Sequence, residues 1–308
     1  MKLIFSQTCH FRICLILLFS CISICNAQNP KKPNFIVILT DDQSWVGTSF
    51  LADPKDSRSK SDYYQTPNMK RLAKSGMRMT NGYAPAPFCS PTRKSILTGL
   101  TPAKHEYQKD RENWTKAFRK QLTIPKILKM ADPSYVTAHF GKWDARYDNF
   151  TPEEMGYDYS DGLTSNNTGG GKNTINKNGL DSPFKIGEAW PKHYDDPKLI
   201  FSLTQRSNDF IEEQTNKNKP FFIQISHYAV HLAITYSHKK FKKYSLLEKG
   251  QKHFVPEFAA MTEDMDMGIG MILDKVASLG ISDNTYIIFL SDNGGRTSIP
   301  IGPEQQVA

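Results

Sequence analysis

Four short, mostly apolar runs recur through the chain and constrain its fold more than any other feature. They stand at residues 34–39, 136–140, 221–225 and 286–290. Runs of this length and composition are typical of strands buried on both faces of a parallel sheet. Helical patterns lie between them, closing with Gly76, Gly99 and Gly280 in three cases. The sequence therefore predicts an α/β fold, a mostly parallel central sheet with helices on both faces.

The first 27 residues are typical of a secretory signal peptide. Basic residues precede an apolar run, Ile13 to Ile24, and small residues follow it up to Ala27. The run is short for a membrane span. A lipoprotein anchor at Cys21 is an alternative, which bulky Phe19 just upstream disfavours. We expect a secreted or periplasmic protein with one domain at residues 28–308.

Removal of this segment reduces the number of cysteines available to the mature chain. The chain has five, and only Cys89 lies beyond residue 27. The remaining chain can form neither an internal disulfide nor a multi-cysteine zinc site, and a lone thiol retained in an oxidising compartment favours chemistry. Pro91 and Arg93 follow it, so that Cys89 stands at an anion-binding helix start. The alternative is a capped helix that merely begins near a buried cysteine.

The charge favours an anionic substrate. The formal charge of +8 falls to +6 once Lys2 and Arg12 are removed. Nucleic acid is disfavoured because the chain carries an export signal and has no recognisable nucleic-acid-binding motif. A basic and aromatic run at 239–244 is either a solvated face or a contact for an anionic polymer.

Polar residues follow all four strands, and parallel strands bring such ends to one edge of the sheet. They are Asp41 and Asp42, Lys142 and Asp144, His227 and His231, and Asp292 and Asn293. The oxygen donors suit a hard divalent cation, calcium or less favourably magnesium. Singly, each is more simply explained as a turn cap or a surface residue. Together with Cys89 and Arg93 they predict a site for a compact oxyanion such as a sulfate or phosphate ester.

These residues resemble a known family. The run Cys89-Ser90-Pro91-Thr92-Arg93, followed by Thr98-Gly99, is similar to the signature of the type I sulfatases, within the alkaline-phosphatase-like superfamily. The resemblance extends to four further motifs in the same order, which are Asp41-Asp42-Gln43, Gly141-Lys142-Trp143, the segment ending at His231, and Ser291-Asp292-Asn293-Gly294-Gly295.

The resemblance implies that Cys89 is oxidised to formylglycine by a formylglycine-generating or sulfatase-maturing enzyme. Its hydrate, a geminal diol, would attack sulfur and expel the alcohol, and deprotonation of the second hydroxyl would then release sulfate by C–O cleavage. It also implies roles for the neighbours. Asp41, Asp42, Asp292 and Asn293, with residue 89, would hold calcium; Arg93 would orient the formylglycine; Lys142 and His231 would bind sulfate oxygens and assist proton transfer.

Three features depart from the family pattern. Asp144 stands where the family usually has histidine, and no lysine follows Lys275, although the family has one soon after the Asp292-Asn293 motif. We also expect the usual C-terminal subdomain to be missing, with no further element after Gly295. Residues 151–195 form a long polar insertion without helical or strand periodicity.

The sequence thus predicts an exported, calcium-dependent sulfatase that acts on a sulfated carbohydrate or polysaccharide. One alternative is a phosphoester or phosphonate ester hydrolase of the same superfamily. Another is an inactive, truncated sulfatase-like protein that only binds sulfated glycans.

Overall fold

The architecture comes from a computed structural model, in which all described elements belong to the unit Pro33–Ala308. The described residues are 31–105, 118–144, 150–164, 195–232 and 234–296, with the backbone of 298–301 and 304–307. The signal peptide expected at 1–27 and most of the insertion expected at 151–195 lie outside these residues.

Within the described chain, five parallel strands form the central sheet in the order β3-β2-β4-β1-β5. Their bounds are β1 Asn34–Thr40, β2 Val136–Gly141, β3 Tyr159–Ser160, β4 Phe221–Ser226 and β5 Thr285–Ser291. Leu39 of β1 lies level with Ser226 of β4 and Leu290 of β5, so these three strands end at the same edge. The predicted parallel sheet is confirmed.

Helices cover both faces of the sheet. The described ones are α1 Pro67–Ser75, α2 Cys89–Thr98, α3 Ile124–Ala131, α4 Ile200–Asn216, α5 His238–Leu246 and α6 Pro256–Ser278. Buried residues of α1, α4 and α6 pack with Ile36 and Ile38 on one face. Leu97 of α2 packs with Val37 on the other face, against which residues of α3 also lie. The predicted layering is therefore confirmed, and in the described residues no helix has the length and apolar character that crossing a bilayer requires.

Three expectations about elements were wrong. Residues 159–160 of the expected insertion form β3, which pairs with β2. In the described chain β5 pairs only with β1, so it is an edge strand, and Tyr286 and Ile288 are 61% and 49% exposed. An apolar run does not reveal whether a second strand lies beside it. Beyond Gly295, β6 Ser298–Ile301 and β7 Glu304–Val307 form an antiparallel hairpin.

The start of α1 is stabilised by a side chain from another helix. Thr66 precedes the helix, but its side chain makes no capping hydrogen bond. Instead Asp266 of α6 accepts hydrogen bonds from the backbone N–H groups of Asn68 and Met69, at 3.0 and 2.8 Å. A carboxylate from another helix thus satisfies the exposed donors, and α1 and α6 are joined at that point.

Candidate active site

Cys89 is the first residue of α2 and lies against the edge where the strands end. The helix closes at Gly99, whose left-handed backbone donates a hydrogen bond to the Ser95 carbonyl. Cys89 is 3% exposed, and its Sγ lies 3.2 Å from Asp41 Oδ1. Burial raises the pKa of the thiol well above its ordinary value; Lys142 and Arg93 act to lower it, while Asp41 and Asp292 act to raise it. The unmodified side chain is therefore a protonated thiol at neutral pH, which is a weak nucleophile.

Arg93, one turn further along α2, ties the helix to two strand ends. Its Nε and Nη2 donate to Asp292 Oδ2 at 3.0 and 2.7 Å, and its Nη1 donates to the Lys142 carbonyl at 2.8 Å. Burial would lower the pKa of Arg93, but Asp292 and Asp41 raise it above its ordinary value. Arg93 is thus a permanent buried cation with a fixed orientation.

Lys142 follows β2 and is fully buried between two acids. Its Nζ lies 2.5 Å from Asp41 Oδ2 and 3.9 Å from Asp144 Oδ2. Burial opposes the ammonium form, but the Asp41 carboxylate raises the pKa of Lys142. The pKa of Asp41 is lowered in turn: burial would raise it, and Lys142 and Arg93 outweigh that effect. Lys142 is therefore positively charged at neutral pH.

Asp42, Asp292 and Asn293 complete an oxygen-rich cluster. Asp42 has a left-handed backbone, φ 58°, and its N–H donates to Asp292 Oδ1 at 3.2 Å. Asn293 Nδ2 donates to Asp42 Oδ1 at 2.6 Å, while the buried Asn293 Oδ1 has no hydrogen-bond partner in the described chain. Burial raises the pKa of Asp292.

The geometry of the cluster fits a divalent cation. One donor atom from each of Asp41, Asp42, Cys89 and Asp292 lies within 4.8 Å of the others, and all four residues are buried. The unpartnered oxygen of Asn293 is available as a further donor. Several carboxylate oxygens and an amide oxygen form the ligand set that suits calcium.

His231 reaches the cluster from the loop after β4, and its side chain is 18% exposed. Its Nδ1 lies 2.7 Å from the Leu232 carbonyl, which can only accept, so Nδ1 carries the proton. Its Nε2 lies 3.7 Å from Asp42 Oδ2. His227, in contrast, is fully buried at the end of β4, and its ring makes no hydrogen bond within the described residues.

The structure brings together the residues predicted for the site. Sequence reasoning assigned no role to Ser291, whose hydroxyl accepts the Gln43 N–H at 3.0 Å and donates to the Asn293 carbonyl at 2.8 Å. Its position inside the quoted Ser291-Asp292-Asn293 motif was the available signal. Sequence reasoning also missed Lys198, which is buried, and no motif marks it.

An open cleft begins beside the cluster. Asp42, Gly295 and Arg296 line it at this end, and Tyr64, His253 and Phe258 contribute aromatic rings. The Tyr64 and His253 rings lie 4.6 Å apart between centroids. The cluster is therefore connected to solvent by a cleft with aromatic side chains in its lining.

Comparison with known proteins gives a consistent result. The family described as Sulfatase matches residues 33–306. N-acetylgalactosamine-6-sulfatase of Mus musculus is 28% identical over 91% of this chain and 54% of its own length. Ulvan-active sulfatase of Formosa agariphila is 27% identical over 87% of this chain and 51% of its own length.

A solved structure gives the same result. The PsFucS1 sulfatase from Pseudoalteromonas sp. superposes with a TM-score of 0.64 at 26% identity, covering 90% of this chain and 58% of its own. The present chain spans about half the length of the curated relatives it matches. Since the family match covers nearly all of the described architecture and every motif of the site, the chain belongs to the sulfatase family.

Proposed function

We propose that this protein hydrolyses sulfate esters of a carbohydrate, with residue 89 matured to formylglycine and calcium held at the acid cluster. The observation that carries the proposal is the placement of Cys89 at a helix start, in contact with Asp41 and within a cluster that also contains Asp42 and Asp292. A protonated thiol is a poor nucleophile. The aldehyde formed from it by maturation, once hydrated, would supply hydroxyl oxygens at an oxygen-rich cation site.

The side chains around residue 89 have different roles in the proposed reaction. The cation would be held by Asp41, Asp42, Asp292 and Asn293, and when bound it would polarise sulfate oxygens. The matured residue 89 would supply the hydroxyl nucleophile. Arg93, fixed by Asp292, orients residue 89. Lys142 remains an ammonium ion beside Asp41 and offsets negative charge that develops on the transferred group.

His231 is the residue we assign to proton transfer. Its proton on Nδ1 is held by the Leu232 carbonyl, which leaves Nε2 facing the cluster. To protonate the leaving alcohol the ring must be the imidazolium, with a second proton on Nε2. Donation of that proton returns the ring to the neutral form protonated on Nδ1. Lys142 is less suited to the task because its pKa is raised.

A sulfated sugar is the substrate class we favour, as part of a polysaccharide or of an oligosaccharide derived from one. One relative is named for the sugar N-acetylgalactosamine and another is named as ulvan-active. The cleft beside Asp42 connects the cluster with solvent, and the positive formal charge attracts an anionic chain. We infer that residues 1–27 direct export, and that a maturation enzyme is the protein partner.

Parallel turnover assays with an aryl sulfate and an aryl phosphate test the proposal. The full chain, expressed with a formylglycine-generating enzyme and supplied with calcium, is expected to cleave the sulfate ester, and Cys89→Ala is expected to lose at least about a thousandfold. Preferential phosphate cleavage would favour the phosphoesterase alternative. Full turnover by Cys89→Ala would contradict the proposal, and binding of a sulfated glycan without turnover would favour an inactive binding protein.

A further inference from the structure

Lys198 is a buried cationic side chain to which the mechanism above gives no role. It lies in the short 3₁₀ turn Pro197–Leu199 that leads into α4, and it is 1% exposed. Lysine is almost never fully buried unless surrounding groups compensate its charge. A lysine held in the interior beside an acid cluster is therefore a candidate for function.

The backbone around Lys198 is held in an unusual conformation. Lys198 and Leu199 have φ angles of 55° and 53°, two consecutive non-glycine residues in the left-handed region. The turn is fixed from its N-terminal side, because Asp196 Oδ1 accepts the Phe201 N–H at 2.7 Å and the Asp196 carbonyl accepts the Leu199 N–H at 3.2 Å. Such conformations persist where surrounding structure enforces them, and they cluster at functional sites.

Packing places this turn beside the metal-binding acids. Leu199 packs against Tyr228 in a buried cluster. The residues that follow Tyr228 are joined to the backbone of Asp41, whose N–H donates to the Ala229 carbonyl at 3.0 Å and whose carbonyl accepts the Val230 N–H at 2.7 Å. Burial lowers the pKa of Lys198 to about 7; the carboxylates of Asp41 and Asp42 act to raise it, and Lys142 acts to lower it. The two charges therefore interact across this interface.

A count of charges shows what Lys198 adds. The cluster holds four carboxylates, of Asp41, Asp42, Asp144 and Asp292, against the two buried cations Arg93 and Lys142. Arg296 lines the adjoining cleft but is exposed, so that solvent screens its charge. A divalent cation would neutralise this set. A sulfate ester, which is a monoanion, would then add one uncompensated negative charge in a buried site, where such a charge is costly.

We propose that Lys198 is a positioning residue whose buried ammonium group, acting through Asp41 and Asp42, supplies the positive charge that the anionic substrate requires. The inference rests on the proposed function, because it presupposes a cation and a sulfate oxyanion at this cluster. It predicts opposite effects on the binding of the two ions. Loss of this charge weakens binding of the anion and strengthens binding of the divalent cation, since Lys198 repels the cation and attracts the anion.

Calorimetric titration of the full chain at pH 6, with calcium chloride and then with sodium sulfate in the presence of calcium, tests the inference. Lys198→Met is expected to bind sulfate about tenfold more weakly and calcium about tenfold more tightly than the parent. Lys198→Arg keeps the charge and is expected to restore both affinities. Lys275→Met removes a lysine of α6 that pairs with Glu212 of α4, and it is expected to change neither.

Each other outcome has a defined meaning. A parent protein that binds neither ion would overturn the proposed function and this inference with it. A parent that binds both, with Lys198→Met weakening both or changing neither, would overturn the inference alone, because a merely structural role lowers both affinities together. Should Lys198→Met fail to fold, Lys198→Gln also removes the charge, and the same opposite shifts are expected of it.

Discussion

His227 carries two polar ring nitrogens into the interior at the end of β4. It is fully buried, and within the described residues neither nitrogen has a hydrogen-bond partner. His139, on neighbouring β2, is equally buried, although its Nε2 contacts Ser226 Oγ at 3.1 Å. Burial lowers the pKa of His227 to about 4 and that of His139 to about 3. Both rings are therefore neutral in the folded protein near pH 6.

The folded protein is expected to lose stability in mild acid because of these histidines. In the unfolded chain a histidine binds its proton near pH 6.5, whereas folded His227 does so only near pH 4. The stabilising contribution is thus complete above pH 6.5 and is lost as the pH falls toward 4. Replacing His227 with Phe should remove about 2–3 kcal/mol of the decrease in unfolding free energy between pH 7 and 4.5, measured by urea denaturation.

A second substitution separates this effect from a general response to acid. His238 is exposed on α5, and His238→Phe is expected to leave the pH dependence of the unfolding free energy unchanged. An identical pH dependence in the parent protein and His227→Phe would contradict the prediction.

At the scale of elements, β2 must end in close contact with β4. Gly141 closes β2 with a φ of 89°, and a Cβ there would collide with the Ser226 carbonyl oxygen and lie 3.2 Å from Leu203. Lys142, the next residue, points its Nζ at Asp41. The absence of a side chain at residue 141 therefore allows the strand end to place Lys142 in the cluster.

Alanine at two left-handed glycines is expected to have unequal effects. Gly280 has a φ of 64° but nothing within 4 Å of the added methyl group, so Gly280→Ala should cost about 1 kcal/mol of unfolding free energy. Gly141→Ala adds a collision to the same backbone strain and should cost about 3 kcal/mol or more. Chemical denaturation of both variants checks this. Equal losses would show that the approach of β2 to β4 is not the constraint.

The sequence predicted which segments form strands and helices better than it predicted which elements lie beside them. The strands β1, β2 and β4 and the helix that follows Cys89 carry strong local signals. No local signal predicts that Tyr286 and Ile288 on β5 are exposed, because an edge strand and a central strand can share one apolar pattern. Local sequence also fails to indicate the role proposed for Lys198. That role depends on a left-handed turn in which Leu199 packs on Tyr228, a residue from another part of the chain.

At the scale of the whole molecule, the parallel sheet brings into contact residues up to 251 positions apart in the sequence. Asn293 Nδ2 contacts Asp42 Oδ1, and Arg93 contacts Asp292, so the ends of the neighbouring strands β1 and β5 meet α2 at one cluster. The surroundings of residue 89 therefore depend on segments from the beginning and the end of the described sheet. Because this chain spans about half the length of its curated relatives, the activity of the chain alone is a proposal to be tested directly.

The mass of the tryptic peptide 79–93 tests the central claim most directly. The peptide contains Cys89 and ends at Arg93, and it should be taken from the full chain expressed with a formylglycine-generating enzyme. We predict a peptide in which the Cys89 side chain has exchanged its thiol for an aldehyde, losing sulfur and gaining a group that reacts with a hydrazide. A peptide that retains an unmodified, alkylatable thiol after this maturation would contradict the account.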